Sequence, residues 1–99
     1  MKLYDIAHSR AGDKGNILTL SLIPYKEVDY ALLKSKVTAD KVKEHMKEIV
    51  SGKIIRYELP NISSLLFVCH DALLSGVTTS LALDTHGKTL SYALLEMEI

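Results

Sequence analysis

Residues 17–23 read Ile-Leu-Thr-Leu-Ser-Leu-Ile, and this alternation constrains the fold more than any other feature of the chain. Successive side chains of a strand point to opposite faces of a sheet, so Leu18, Leu20 and Leu22 share one face. Residues 53–59 repeat the pattern, with Ile55, Tyr57 and Leu59 opposite to Arg56 and Glu58. Both segments therefore predict strands of a sheet that buries one face, with Tyr57 in the core and its hydroxyl at the rim.

Two amphipathic helices are predicted between these strands. The first carries a short apolar stripe formed by Val28, Ala31 and Leu32. The second begins at Thr38, because threonine is a favourable N-cap residue. Its apolar residues follow helical spacing, and the opposite face is charged (Val42, Met46, Ile49 and Val50 against Asp40, Lys41, Lys43, Glu44, Lys47 and Glu48). Gly52 stands where a glycine commonly ends a helix.

The remainder of the chain predicts one more helix and two more strands. After Pro60 and an N-cap at Asn61, apolar residues follow helical spacing up to Gly76 (Ile62, Leu65, Leu66, Cys69 and Leu73). A strand over 64–70 is the open alternative. Residues 79–84 predict a strand and residues 84–87, Asp-Thr-His-Gly, a turn. The C-terminal alternation predicts a last strand, with a helical turn at 92–95 as its alternative (Leu95, Met97 and Ile99 against Glu96 and Glu98).

Together with a short first strand at residues 2–8, these elements run in the order β-β-α-α-β-α-β-β. This order predicts an α+β chain, folded over residues 1–99 as one two-layer ferredoxin-like sandwich. The sheet is expected to be mostly antiparallel, with helices on one face. The second face is expected to be mixed in character (Thr19, Ser21, Arg56, Glu58, Glu96 and Glu98). Such a face contacts either solvent or another polypeptide, and the sequence leaves both open.

The charge balance excludes some partners and favours others. Twelve basic residues balance twelve acidic ones, so no net field attracts nucleic acid or an anionic membrane. A net charge near zero also removes one barrier to self-association, which favours a homo-oligomer.

The cysteine content and the apolar runs bear on the compartment. Cys69, the single cysteine, is expected to be a buried thiol and excludes a disulfide framework. Without an apolar run typical of a signal peptide or a membrane span, the expected location is the cytoplasm.

Residues 9–16, Ser-Arg-Ala-Gly-Asp-Lys-Gly-Asn, form the one concentrated candidate for function. We expect a polar loop here, in which Gly12 and Gly15 let successive backbone N–H groups point into one concavity. Arg10 and Lys14 add positive charge on either side, so the loop is predicted to bind a phosphate, a carboxylate or another small anion. The anion-binding candidates are Arg10, Gly12, Asp13, Lys14, Gly15 and Asn16. A plain connection between two strands accounts for the same residues equally well.

The histidines offer one acid–base candidate and no metal site. His8 ends the first predicted strand beside the polar loop, where an imidazole has room to exchange a proton with a ligand. An ordinary side chain at a strand end is the alternative interpretation. The other three histidines lack the paired spacing of metal ligands (His45, His70 and His86). The sequence therefore predicts no metal and no cofactor.

Four stretches together resemble the small ferredoxin-fold domain of the AtuA-like proteins, a family named for acyclic terpene utilisation. They are IAHSRAGDKGN at 6–16, TADKVKEHM at 38–46, RYELPNISSLLFV at 56–68 and SLALDTHGKTLSYALLEMEI at 80–99. Val37 stands before Thr38 where the family more often has leucine. Residues 74–77, Leu-Ser-Gly-Val, depart from the glycine-rich stretch that the family often carries there.

The resemblance implies a partner more than a reaction. In this family the domain is either fused behind a much larger domain or is a separate small protein paired with it. It therefore implies an accessory small subunit that docks on a larger AtuA-type protein, in the catabolism of terpene-derived or branched acyl-CoA. The alternative is a self-sufficient oligomeric enzyme, in which Arg10, Lys14 and His8 handle an acyl-CoA or another anionic substrate.

Overall fold

The computed structural model describes residues 1–14, 16–72 and 86–99. Four strands lie within this part of the chain, at Ala7–Lys14 (β1), Ile17–Pro24 (β2), Ile54–Leu59 (β3) and Ser64–Cys69 (β4). Three α-helices accompany them, at Tyr30–Lys36 (α1), Ala39–His45 (α2) and His86–Leu95 (α3). One-turn 3-10 helices occur at Leu3–Asp5, Glu27–Asp29 and Pro60–Ile62.

The four strands form one antiparallel sheet in the order β1-β2-β4-β3. In β1 and β2, Lys14 lies opposite Ile17, so only residues 15 and 16 separate the two strands. The two central strands place Leu20 opposite Phe67. β1 and β3 are therefore the edges of the sheet in the part of the chain that the structure describes.

One face of the sheet carries the core. Leu18, Leu20 and Leu22 of β2 are completely buried, as the alternation at 17–23 predicts. They pack in a single cluster with buried residues of β4 and of all three helices (Leu65, Phe67, Cys69, Leu33, Val42, Leu90, Leu94 and Leu95) and with Met46, which follows α2. The predicted α+β class, the antiparallel sheet and the helical layer on one face are thus confirmed, in agreement with a ferredoxin-like fold.

The prediction of a polar loop at residues 9–16 is wrong, because most of this segment is a strand. Residues up to Lys14 continue β1, and the predicted strand at 2–8 begins only at Ala7, after the 3-10 helix Leu3–Asp5. Pairing with β2 outweighs the weak strand propensity of this polar segment. Two β2 side chains reinforce the pairing: Ser21 Oγ accepts from the Arg10 N–H at 3.0 Å, and Thr19 Oγ1 donates to the Gly12 carbonyl at 3.3 Å.

The predicted helix from Ile62 is also wrong, and its strand alternative over 64–70 is confirmed. β4 buries Leu65, Phe67 and Cys69, while the residues between them are partly exposed. Ser63 begins the return with a positive φ of 50° directly after the 3-10 turn at Pro60–Ile62. Helical spacing and strand alternation overlap for short apolar runs, and the two neighbouring strands decide between them.

The two predicted helices between β2 and β3 are present, with corrections. Thr38 caps α2 as predicted, because its Oγ1 accepts from the Lys41 N–H at 3.2 Å. In α1 the buried residue is Leu33, whereas Val28 precedes the helix and is 78% exposed. Gly52 is not a helix cap, since α2 ends at His45 and the Gly52 N–H donates to the His70 carbonyl at 3.1 Å.

The faces of β3 are the reverse of the prediction. Arg56 lies opposite the buried Phe67 and therefore on the helical side of the sheet. Its guanidinium donates to the carbonyls of Lys34 at 2.7 Å, in the last turn of α1, and of Val37 at 3.0 Å, directly after it. These hydrogen bonds satisfy the Arg56 guanidinium at the edge of the sheet, while the aliphatic part of the side chain packs inward. Tyr57, expected in the core, is 47% exposed on the other face.

The C-terminal region is mostly helical. The predicted turn at 84–87 is wrong for its second half, because His86 begins α3, and the alternative of a helical turn at 92–95 is confirmed. The predicted strand at the C-terminus reduces to an isolated antiparallel bridge between Lys2 and Glu98. The predicted strand at 79–84 and the family departure at 74–77 lie outside the described residues.

The buried thiol of Cys69 is expected to make the stability of the fold depend on pH. The thiol is completely buried, and this burial raises its pKa to about 11, against 9.0 for an exposed thiol. Between these values the folded chain retains a proton that the unfolded chain has lost, so stability falls as pH rises from 9 to 11. We expect a loss of about 2–3 kcal/mol in urea titrations across this window. The Cys69→Ala variant lacks the titrating group, and an equal decline in that variant would contradict the assignment.

Candidate functional site

The candidate residues lie along the edge strand β1 and at its turn into β2. Arg10 and Lys14 are four positions apart in an extended strand, which separates their Cα atoms by roughly 13 Å. Backbone N–H groups alternate in direction along a strand, so the concavity expected for a polar loop is absent from the described residues.

The other anion-binding candidates lie toward the turn. Asp13 lies opposite Leu18, and the Asn16 carbonyl accepts from the Ala72 N–H at 3.0 Å. Gly15 lies outside the described residues. Anion binding by the candidate set stays a prediction.

A groove runs between β1 and α3 and contains two of the predicted residues. Its volume is about 520 Å³. It is lined by residues of β1, of the segment after β2 and of α3 (His8, Ser9, Arg10, Ala11, Tyr25, Ser91, Tyr92 and Leu95). The structure thus brings His8 and Arg10 together at one cavity, which we call the β1–α3 groove.

The charge of this groove is one-sided. Arg10 is exposed and forms no ion pair with any described residue. No Asp or Glu is among the described residues that line the groove. A guanidinium without a carboxylate neighbour retains its donors for a ligand and matches the planar geometry of a carboxylate or phosphate.

Aromatic side chains form one wall of the β1–α3 groove. The rings of His8 and Tyr25 are stacked, with centroids 5.4 Å apart and an interplanar angle of 21°. Tyr25 and Tyr92 are 63% and 58% exposed. Large exposed rings beside a cavity offer flat contact area at a low entropy cost, because each ring has few rotatable bonds.

The floor of the groove is small and mostly apolar. Ala11 is half-buried and Leu95 is buried. Ser9 Oγ is also buried and has no hydrogen-bond partner among the described residues. Buried hydroxyl groups are normally satisfied. The Ser9 hydroxyl is thus an unsatisfied polar atom that is closed off from solvent beside the groove.

The sequence predicts His8 and Arg10 as site residues but misses their neighbours. Tyr25, Tyr92 and Leu95 carry no motif, and α3 reaches β1 only through the tertiary fold. His45 and His70 are elsewhere: His45 Nε2 lies 2.6 Å from the Ala93 carbonyl oxygen, and His70 follows β4. No group of three His, Cys, Asp or Glu side chains with metal-ligand proximity occurs in the described ranges.

The face of the sheet opposite the core is more apolar than predicted. We define the open face as Ile17, Thr19, Ser21, Ile23, Ile55, Tyr57, Leu66 and Val68, which share one side by strand register. Its aliphatic members are partly exposed, and no described helix covers them. Thr19 and Ser21 already bond to the backbone of β1. Arg56 and Glu58, expected on this face, lie on the helical side, and Glu96 and Glu98 lie outside the sheet.

An antiparallel sheet with a helical layer on one side and an apolar open face on the other defines an α+β sandwich of ferredoxin-like type. The family model of the AtuA ferredoxin-like domain matches residues 1–99, and the chain belongs to this family. The resemblance derived from the sequence is thereby confirmed. Neither the curated proteins nor the solved structures compared with the chain include a significant match. No helix among the described residues is long and apolar enough to cross a membrane.

Proposed function

We propose that this domain is an accessory small subunit that docks through its open face on a larger AtuA-type protein. The complex would act in the cytoplasm, in the catabolism of terpene-derived or branched acyl-CoA, and β1 would offer its anion-binding residues to a shared site. The observation that supports this proposal is the open face itself. Partly exposed aliphatic side chains occupy both central strands and one edge strand, without a described element to cover them.

The size of the open face favours a larger partner over a second copy. Four strands about 4.8 Å apart, with some six residues each, span roughly 400 Å² of flat surface. Two such faces packed together would bury on the order of 800–1,200 Å², which is at or below the lower limit of stable interfaces. A larger polypeptide can extend the contact past the sheet edges, and so reach a stable area.

The position of the groove fits the same arrangement. His8 and Arg10 lie opposite Ile23 and Ser21, so strand register places them at the β1 edge of the open face. A partner docked on that face would extend over the mouth of the β1–α3 groove. The small subunit would then supply a cation and an imidazole to a site whose remaining groups come from the larger protein.

Docking is tested with a charge at the centre of the open face. We expect Val68→Lys to weaken the complex at least about a hundredfold, because the interface would bury an unpaired ammonium group. Ala31→Lys adds the same charge on the exposed side of α1 and is the matched control. The measurement is co-purification with the larger AtuA-type protein of the same genome, followed by sedimentation of the purified complex.

The sedimentation experiment also separates the alternatives. The proposal fails if the chain alone sediments near its mass of 11.0 kDa at tens of micromolar and does not bind the larger protein. It also fails if Val68→Lys binds as tightly as the parent. A self-associated parent that becomes monomeric with Val68→Lys would instead assign the open face to a second copy.

One observation supports the second candidate function, a stand-alone oligomeric enzyme for an anionic substrate. His8 and Arg10 line the same cavity, which places an acid–base group beside a cation. Turnover of an acyl-CoA by the purified chain, with loss of activity in His8→Gln, would favour this function. Lys14, also assigned to substrate in this hypothesis, is not among the described residues that line the cavity.

A further inference from the structure

We propose that the β1–α3 groove is a binding site for a small organic anion, a carboxylate or phosphate that carries a flat or apolar body. This inference deepens the anion-binding part of the proposed function by naming the site and the ligand class. It does not depend on docking, because every group it uses belongs to this chain. It also places the site along the first half of β1, at residues 8–11, and not at the turn between β1 and β2.

The charge of the lining selects the head group of the ligand. Arg10 is the cation, and the described lining contains no carboxylate that would neutralise it or repel an anion. The exposed side chains of Tyr25 and Tyr92 add two hydroxyl groups around the same cavity. A cationic ligand would find no partner of opposite charge here. The groove therefore favours an anionic head group over a neutral or cationic one.

The walls select the body of the ligand. The stacked His8–Tyr25 pair presents a flat aromatic surface, and Leu95 and Ala11 give the floor an apolar character. Ring stacking and apolar contact both stabilise a planar or hydrocarbon group. A purely inorganic anion would use Arg10 but gain nothing from these surfaces. The lining therefore favours an organic anion over inorganic phosphate.

The dimensions agree with a small molecule. A volume of about 520 Å³ lies within the range of roughly 300–1,000 Å³ that is typical of ligand pockets. Apolar lining with a few polar groups is also the usual composition of such pockets. The cavity is partly open to solvent, so a longer substituent of the ligand can extend out of it.

The test is an NMR titration of the full chain with three probes of matched size or charge. Benzoate is expected to bind with a Kd of about 1–10 mM, typical of a fragment, and to shift the amide signals of Ala11, Tyr92 and Leu95. Benzamide, which is neutral and of the same shape, is expected to bind at least about tenfold more weakly. Acetate, which lacks the ring, is expected to bind more weakly than benzoate.

Two variants assign the contacts. Arg10→Gln is expected to weaken benzoate at least about tenfold, and Tyr25→Ala is expected to weaken benzoate without changing acetate. Lys36→Gln and Tyr57→Ala are the matched controls, because both side chains are exposed and neither lines the groove. A circular dichroism melt of each variant confirms that it remains folded.

Three results would contradict the proposal that the β1–α3 groove binds an organic anion. The first is the absence of saturable benzoate shifts up to about 50 mM. The second is equal affinity for benzoate and benzamide in the parent, a comparison that needs no variant. The third is an effect of Lys14→Gln as large as that of Arg10→Gln, with shifts centred on Asn16, which would return the site to the turn. Docking is measured separately by sedimentation, so either proposal can fail while the other holds.

Discussion

Phe67→Ala is expected to lower the free energy of unfolding by about 4 kcal/mol, and the adjacent Leu66→Ala by only about 1 kcal/mol. Phe67 is completely buried in the central strand β4, opposite Leu20 on one side and Arg56 on the other. Its removal leaves a cavity that rigid neighbouring strands cannot fill. Leu66 lies on the open face and is partly exposed, so its truncation removes little buried surface.

The pair also distinguishes a strand from the helix that apolar spacing predicts for this segment. On a helix, Leu66 would face the core with Leu65 and Cys69, and Phe67 would lie off that stripe. Urea unfolding of the two variants followed by circular dichroism gives the two free energies directly. A larger loss for Leu66→Ala than for Phe67→Ala would contradict the strand register of β4.

Gly52→Ala is expected to destabilise the fold by about 3 kcal/mol. A Cβ at this position would lie 2.4 Å from the His70 carbonyl oxygen and 2.8 Å from its carbon, and both are backbone atoms. Hydrogen bonds on both sides hold that backbone in place, from Gly52 N–H to the His70 carbonyl and from His70 N–H to the Lys53 carbonyl. The segment therefore cannot yield without losing part of the ladder that extends β3 and β4.

Gly12→Ala is the matched control for Gly52→Ala. Its Cβ would meet only Thr19 Oγ1 at 3.0 Å, and this side chain can rotate away at the cost of its long hydrogen bond to the Gly12 carbonyl, 3.3 Å. We expect a change below about 1 kcal/mol, measured by the same urea titration. If Gly52 only ended a helix, alanine there would be tolerated nearly as well as at residue 12, and equal effects would contradict the close approach of the two backbones.

The sequence predicts those elements whose signal is local. The alternation of Leu18, Leu20 and Leu22 needs one buried face, and Thr38 needs only the first turn of its own helix. The polar segment before Lys14 and the apolar run from Leu65 lack such a local signal. Their structure depends on pairing with β2, which follows β1 across a two-residue turn but lies about forty residues before β4. Neighbouring strands, rather than propensity, make both segments extended.

The same distinction between local and tertiary determinants applies to the candidate site. His8 and Arg10 are found from sequence because polar residues cluster beside the glycines at the start of the chain. Tyr25 and Tyr92 are not, because their proximity depends on α3 packing against β1. The orientation of Arg56 was also unpredictable, since its inward face is explained by two carbonyls at the end of α1. Long side chains at sheet edges can place a charge on either side.

The order of strands in the sheet has a consequence for how the chain reaches this fold. β1 pairs with β2 across two residues, and β3 pairs with β4 across the short turn that begins at Pro60, so each pair is a local hairpin. The central contact of β2 with β4 joins the two hairpins and closes the loop of about thirty residues between Pro24 and Ile54, which contains both α1 and α2. Most of the loop-closure entropy of the sheet therefore falls on the single step that joins the two hairpins.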